Sequence, residues 1–253
     1  GVIAFIGLWL CLAFSAHSSI DNVRFEQYFV EDGLSQQSIT VIFQDSRGFI
    51  WVGTQEGLNR FDGRSFKQFS SSLETNNSLI FSWVTSIAED ANGNLWIGTQ
   101  RGLSRYNPIS NVFTNFHADG NDHSINDHVV RKVWVDRSQN IWVTTRKGIN
   151  KFLPEIQGFK PFNVNDENGK DVDFRAIAED DFGGLWLGSG HHGLYRFDLE
   201  TESLQRKISR FNDAANTPLE GIYSLLIDSS QRLWIGMNLV GTYVLDLTQD
   251  TAE

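Results

Sequence analysis

Short runs of β-branched and aromatic residues alternate with polar, glycine-containing breaks along most of the chain. "SITVIFQD" (Ser38–Asp45) has strand composition and predicts a first strand. "DSRG" (Asp45–Gly48) predicts a tight turn, the aspartate accepting from amides ahead of it and the glycine taking a positive φ. "FIWVGT" (Phe49–Thr54) is a second strand, and "QEG" (Gln55–Gly57) turns into a third, "LNRFD" (Leu58–Asp62). "FKQF" (Phe66–Phe69) supplies a short fourth.

The pattern then recurs. Tryptophans at Trp51, Trp96, Trp142, Trp186 and Trp234 are spaced by 45, 46, 44 and 48 residues, and an aspartate stands six positions before each: Asp45, Asp90, Asp136, Asp180 and Asp228. A period in the mid-forties marks one supersecondary unit used repeatedly, and four short strands per period match a propeller blade. A helical solenoid would show few glycines, yet 22 of the 253 residues are glycine. The expected fold is all-β: a β-propeller of four-stranded antiparallel blades, about five of them present.

Within that frame each tryptophan is expected to fill the wedge between blades. Glycine two positions later (Gly53, Gly98, Gly188, Gly236) lets a neighbour approach, with Thr144 the exception. Gln139 and Gln231 replace the turn glycines Gly48, Gly93 and Gly183. The fourth-strand pattern returns as "FTNF" (Phe113–Phe116), "FKPF" (Phe159–Phe162) and "LQRK" (Leu204–Lys207). "FEQY" (Phe25–Tyr28) precedes the first unit and is expected to be an outer strand that completes the last blade. The strand count allows a closed five-bladed ring or part of a larger one; the absence of an initiator methionine at Gly1 favours the part.

The first residues differ in kind. "VIAFIGLWLCLAFSAHSS" (Val2–Ser19) opens with thirteen apolar or glycine residues, short of the roughly 20 that a membrane span needs. It predicts a secretory signal peptide over 1–18, truncated at the front, with Ala16–Ser18 as a cleavage site and 19–253 as the partial propeller; a buried strand is the alternative. Leu10 before Cys11 is too large for a lipoprotein processing site, and the lone cysteine cannot form an intrachain disulfide. A formal charge of −10 argues against a nucleic-acid partner.

"EDGLSQQSITVIFQDSRGFIWVGTQEGLNRFDG" (Glu31–Gly63), with its recurrences, resembles the two-component regulator propeller family over residues 24–250. The resemblance implies the extracytoplasmic sensor region of a bacterial membrane receptor. In that family two seven-bladed propellers precede an immunoglobulin-like module, a transmembrane helix and a histidine kinase or diguanylate cyclase output. The chain would then be five blades of the first seven-bladed ring, periplasmic, membrane-attached through a downstream segment, and able to form a homodimer. Some members sense oligosaccharides, which makes a small-molecule ligand of that class the expected partner.

Catalytic chemistry is thinly represented. Adjacent histidines in "HHG" (His191–Gly193) point apart, the repeated aspartates occupy one turn in every blade, and neither a metal site nor a cofactor is expected. Binding is better supported. Aligning inner strands on the aspartates places Thr40, Thr85, Arg131, Arg175 and Tyr223 at one position, five before each aspartate, where they would line the channel mouth. Arginine offers a fixed fork of donors and tyrosine an apolar face with a hydroxyl, a set suited to a hydroxyl-rich or carboxylate-bearing ligand. Trp83 and His128 extend this candidate rim. Against it stands a simpler reading, in which Arg131 and Arg175 pair with nearby acids such as Asp173. A sensory module, a structural or dimerising propeller, and a lyase or hydrolase propeller all remain open at this point.

Overall fold

Each repeat folds into one antiparallel meander. The computed structural model describes residues 25–210, 218–238 and 240–248. The first blade comprises β1 (Ile39–Gln44), β2 (Ile50–Thr54), β3 (Leu58–Phe61) and β4 (Phe66–Phe69). The second is β5 (Val84–Glu89), β6 (Leu95–Thr99), β7 (Gly102–Asn107) and β8 (Val112–Phe116). The third is β9 (Val130–Val135), β10 (Ile141–Thr145), β11 (Gly148–Leu153) and β12 (Gly158–Asn163). The fourth is β13 (Phe174–Glu179), β14 (Gly184–Ser189), β15 (Leu194–Asp198) and β16 (Ser203–Ile208). The fifth has three strands among the described residues: β17 (Ile222–Ile227), β18 (Arg232–Met237) and β19 (Gly241–Asp246). Neighbours in sequence are neighbours in each sheet, and inner strands β1, β5, β9, β13 and β17 pack side by side around a channel. The all-β propeller expected from the repeat is what forms.

The spacing from aspartate to tryptophan has one geometric cause. Asp45 Oδ1 accepts from the amides of Arg47 and Phe49, closing the turn, while its Oδ2 accepts from Trp51 Nε1 at 2.9 Å. The same indole bond joins Trp96 to Asp90, Trp142 to Asp136, Trp186 to Asp180 and Trp234 to Asp228, at 2.8–2.9 Å. So the aspartates are more than turn formers: each also satisfies the indole N–H that core burial would otherwise orphan.

The rings then pack forward. Trp51 joins Val84, Ile87 and Tyr106 of the second blade, Trp96 joins Val130 and Phe152 of the third, and Trp142 joins Phe174 and Phe197 of the fourth. Trp186 packs with Ile222 and Leu233 of the fifth. Gly98 leaves the space this needs: a Cβ there would lie 2.6 Å from Val130 Cγ1. The exception, Thr144, uses its hydroxyl to accept from the Lys132 amide at 3.1 Å, where the β9–β10 register shifts.

Three expectations need correction or fall outside. Trp234 is 38% exposed, whereas its four equivalents are buried, because no described blade follows the fifth. Ile42 on β1 and Leu226 on β17 are exposed for the matching reason, so the described blades do not close a five-membered ring. Phe25–Tyr28 form no strand; Tyr28 instead packs its ring on Phe61 and Phe66 of the first blade. The signal-peptide segment, 1–18, lies outside the described residues. No helix among them is long and apolar enough to cross a membrane.

Candidate ligand site at the channel mouth

The position five before each turn aspartate stands where an inner strand meets the next blade. Its shortest occupants turn into the protein. Thr40 Oγ1 donates to the Val84 carbonyl at 2.8 Å, and Thr85 Oγ1 donates to the Val130 carbonyl at 2.8 Å. These two candidates are interblade clasps: a hydroxyl on a short β-branched side chain reaches the neighbouring backbone and stays there.

Arginine at the same position reaches further. Arg131 Nε and Nη2 grip the two Asp173 oxygens at 2.8 and 3.0 Å, a bidentate fork. Arg175 Nε donates to Asp173 Oδ2 at 2.8 Å and its Nη1 to the Tyr223 hydroxyl at 2.5 Å. The Arg175 guanidinium also lies over the Tyr223 ring, 5.0 Å from its centroid. Gly190 makes room for it, since a Cβ there would sit 2.9 Å from the guanidinium carbon. Asp173, the acid that the simpler reading had named as the arginines' partner, thus joins Arg131 to Arg175, and Arg175 carries the link on to Tyr223. All three charged side chains keep some exposure, and Tyr223 is half exposed.

The other two candidates sit apart from this cluster's contacts. Trp83 is partly exposed, and its carbonyl accepts from the Gln100 amide at 3.1 Å. His128 lines a separate cleft of about 550 Å³ with Asn126, Asp127, Lys147, Asn163 and Asp171, formed by the loops entering the third and fourth blades. There Asp127 is held by Arg146, Nε to Oδ1 at 3.0 Å. His191 and His192 have ring planes 89° apart, and His192 Nε2 pairs with Asp166 at 3.1 Å. No group of three or more His, Cys, Asp or Glu among the described residues is arranged to hold a metal ion.

Below the mouth the channel widens to about 530 Å³. Val41, Phe43, Ala88, Val133, Ile177 and Leu225 make its wall mostly apolar, and Ser86, Glu89, Lys132, Trp134, Tyr223 and Ser224 add polar atoms. Sequence reading missed Lys132. It sits between Arg131 and Val133 on a strand where only the opposing blades reveal which side chain turns inward.

Comparison with known proteins fits this architecture. The two component regulator propeller family model matches residues 33–56 and 78–101, the start of the first and second blades. A 72-residue stretch, 28% of the chain, is 42% identical to Histidine kinase P4 of Formosa agariphila and spans 5% of that protein. A crystal structure of B. thetaiotaomicron, described as the extracellular domain of a hybrid two component system, is similar over 88% of this chain and 36% of its own. Its TM-score is 0.66 and its identity 24%. PorZ of Porphyromonas gingivalis, a surface component of the type-IX secretion system, is similar over 83% of this chain and 32% of its own, with a TM-score of 0.61 and 20% identity. At such identities the structures speak to the fold alone, and the chain spans well under half of each relative. Repeat and fold converge on a β-propeller, and its first two blades match the two component regulator propeller model.

Proposed function

We propose that this propeller is the extracytoplasmic ligand-sensing module of a bacterial transmembrane receptor whose output is a histidine kinase or a diguanylate cyclase. The observation that carries the reading is the cluster at the channel mouth. Two guanidiniums converge on one carboxylate beside a half-exposed tyrosine, with donor groups left over. Folds place binding groups on the loops and strand ends of a rigid scaffold, and the interlocked blades are such a scaffold. The family resemblance and the 42%-identical stretch of a histidine kinase support the receptor context. The ligand class that fits is a small hydroxyl-rich or carboxylate-bearing molecule such as an oligosaccharide.

Calorimetry on the complete receptor domain with a panel of glycans tests this. A bound glycan should lose affinity in the Arg131→Ala/Arg175→Ala double variant. Unchanged affinity would move the sensor site away from this mouth. Thr40 and Thr85 favour a second, structural reading of their own positions, because both hydroxyls are already spent on interblade bonds.

A further inference from the structure

Charge at the mouth does not balance. Arg131 and Arg175 bring two fixed cations to the single carboxylate of Asp173. Three guanidinium donors already bond that carboxylate, two from Arg131 and one from Arg175. Nη1 of Arg131 and Nη2 of Arg175 have no acceptor among the described residues. Arginine stays protonated throughout the accessible pH range, so the surplus positive charge is permanent.

The channel beneath repeats the imbalance. Lys132 lines it and makes neither an ion pair nor a side-chain hydrogen bond among the described residues. Partial burial pushes its ammonium below the ordinary lysine range. Glu89, which lines the same channel, and Glu179 are the acids on neighbouring inner strands, and both are engaged at the far end. Glu89 accepts from the amide and hydroxyl of Ser46 at 2.7 and 2.8 Å, and Glu179 accepts from the Arg137 amide at 3.1 Å. Each lies three positions further along its strand than the residue equivalent to Lys132, about 10 Å at the rise of a strand. Tyr223 connects the two levels: its hydroxyl accepts from Arg175 and its side chain lines the channel with Lys132.

A chain with a formal charge of −10 has therefore gathered cations without a partner among the described residues at one end of a mostly apolar channel, with Glu89 toward the other end. We infer that the channel site takes a small carboxylate-bearing anion, its charge on Lys132 and the mouth arginines and its uncharged body against the apolar wall. The inference rests on the sensor reading for its biological meaning, but the binding chemistry can be tested alone. A neutral sugar would leave Lys132 unpaired and fill only the remaining donor positions. A carboxylate accepts at two oxygens and cancels the surplus charge.

The test is thermal unfolding of the complete receptor domain at constant ionic strength, with D-glucuronate against D-glucose and malonate against malonamide. These pairs differ chiefly in the presence of the carboxylate. At ten times its dissociation constant the bound anion should raise the folded-to-unfolded ratio about elevenfold, and the neutral partner should not. Lys132→Met should abolish the response, Lys132→Arg should restore it, and Lys132→Met without ligand should unfold at a higher temperature than wild type. Equal shifts with neutral and anionic partners, a response that survives Lys132→Met, or no response to either carboxylate would each overturn the inference. The sensor reading would still be judged separately by the glycan calorimetry.

Discussion

Replacing one tryptophan by alanine in two different blades measures what a following blade contributes. Trp142 is fully buried against the fourth blade, whereas Trp234 is 38% exposed. A buried aromatic ring of this size removes roughly 200 Å² from water, about 5 kcal/mol at 25 cal/mol per Å². Realistic unfolded chains reduce that to about 3–4 kcal/mol. Trp234 keeps about three-fifths of the burial, and water can fill the space it leaves, so about 2 kcal/mol is expected. Both substitutions delete an indole bond to the turn aspartate, but that loss largely cancels. Asn140 Nδ2 still donates to Asp136 Oδ2 at 2.8 Å, and Arg232 Nε still donates to Asp228 Oδ2 at 2.8 Å. The expected difference is about 1–2 kcal/mol, with Trp142→Ala the more damaging. Urea unfolding followed by far-ultraviolet circular dichroism reads this as a midpoint separation of about 0.5–1 M. Equal losses within about 0.5 kcal/mol, or the reverse order, would refute the idea that each ring is stabilised by the next blade.

Two further outcomes follow from the turns. Gln139 and Gln231 hold φ of 66° and 56° where three other copies use glycine, but only Gln231 uses its side chain, accepting from the Asp181 amide at 3.0 Å. Gln139→Gly should therefore be neutral or stabilising by up to about 1 kcal/mol, and Gln231→Gly should destabilise, both read from denaturation midpoints. The second outcome concerns acid. Burial alone would raise the Asp45 carboxyl, but bonds from the Trp51 indole, the Phe49 amide and Arg47 together hold it below its usual range. Asp228 is held lower still, first by the Trp234 indole and then by the Arg232 amide. For groups lowered on folding, the stabilisation is fully present above the unfolded value of about 3.9 and is lost as pH falls through the native value. Stability measured from pH 5 downward should fall along this limb, and Asp45→Asn should flatten it.

How much of this was legible depends on which residues fix each feature. The blade was legible because strand, turn and tryptophan lie within one repeat and are set by local chemistry, as Asp45 to Trp51 shows. The candidate row was legible as an alignment, yet what each member touches belongs to the neighbouring blade. Thr40 and Arg131 occupy equivalent positions, and one meets a carbonyl while the other meets Asp173. Lys132 was hidden for the same reason. "FEQY" shows the limit from the other side: four residues copy the outer-strand pattern, but pairing needs an edge within reach, and Tyr28 settles on the first blade instead.

The clasps between blades also give the ring a rotational sense. Thr40 donates into the second blade, Thr85 into the third, Arg131 into the fourth and Arg175 into the fifth. The wedges of Trp51, Trp96, Trp142 and Trp186 all lean the same way. The two ends of the array are therefore chemically unlike. Stripping off the first blade would leave a spare acceptor, the Val84 carbonyl, and uncover the aliphatic Val84 and Ile87 and one face of Tyr106. Stripping off the fifth would leave a spare donor on Arg175 and a bared Trp186. Apolar surface is bared at either end, so the difference lies in the polar groups, and proteins tolerate an under-used carbonyl more readily than an orphaned donor. Shortening from the front should thus disturb what remains less than shortening from the back, and strain applied to one blade should load its successor before its predecessor.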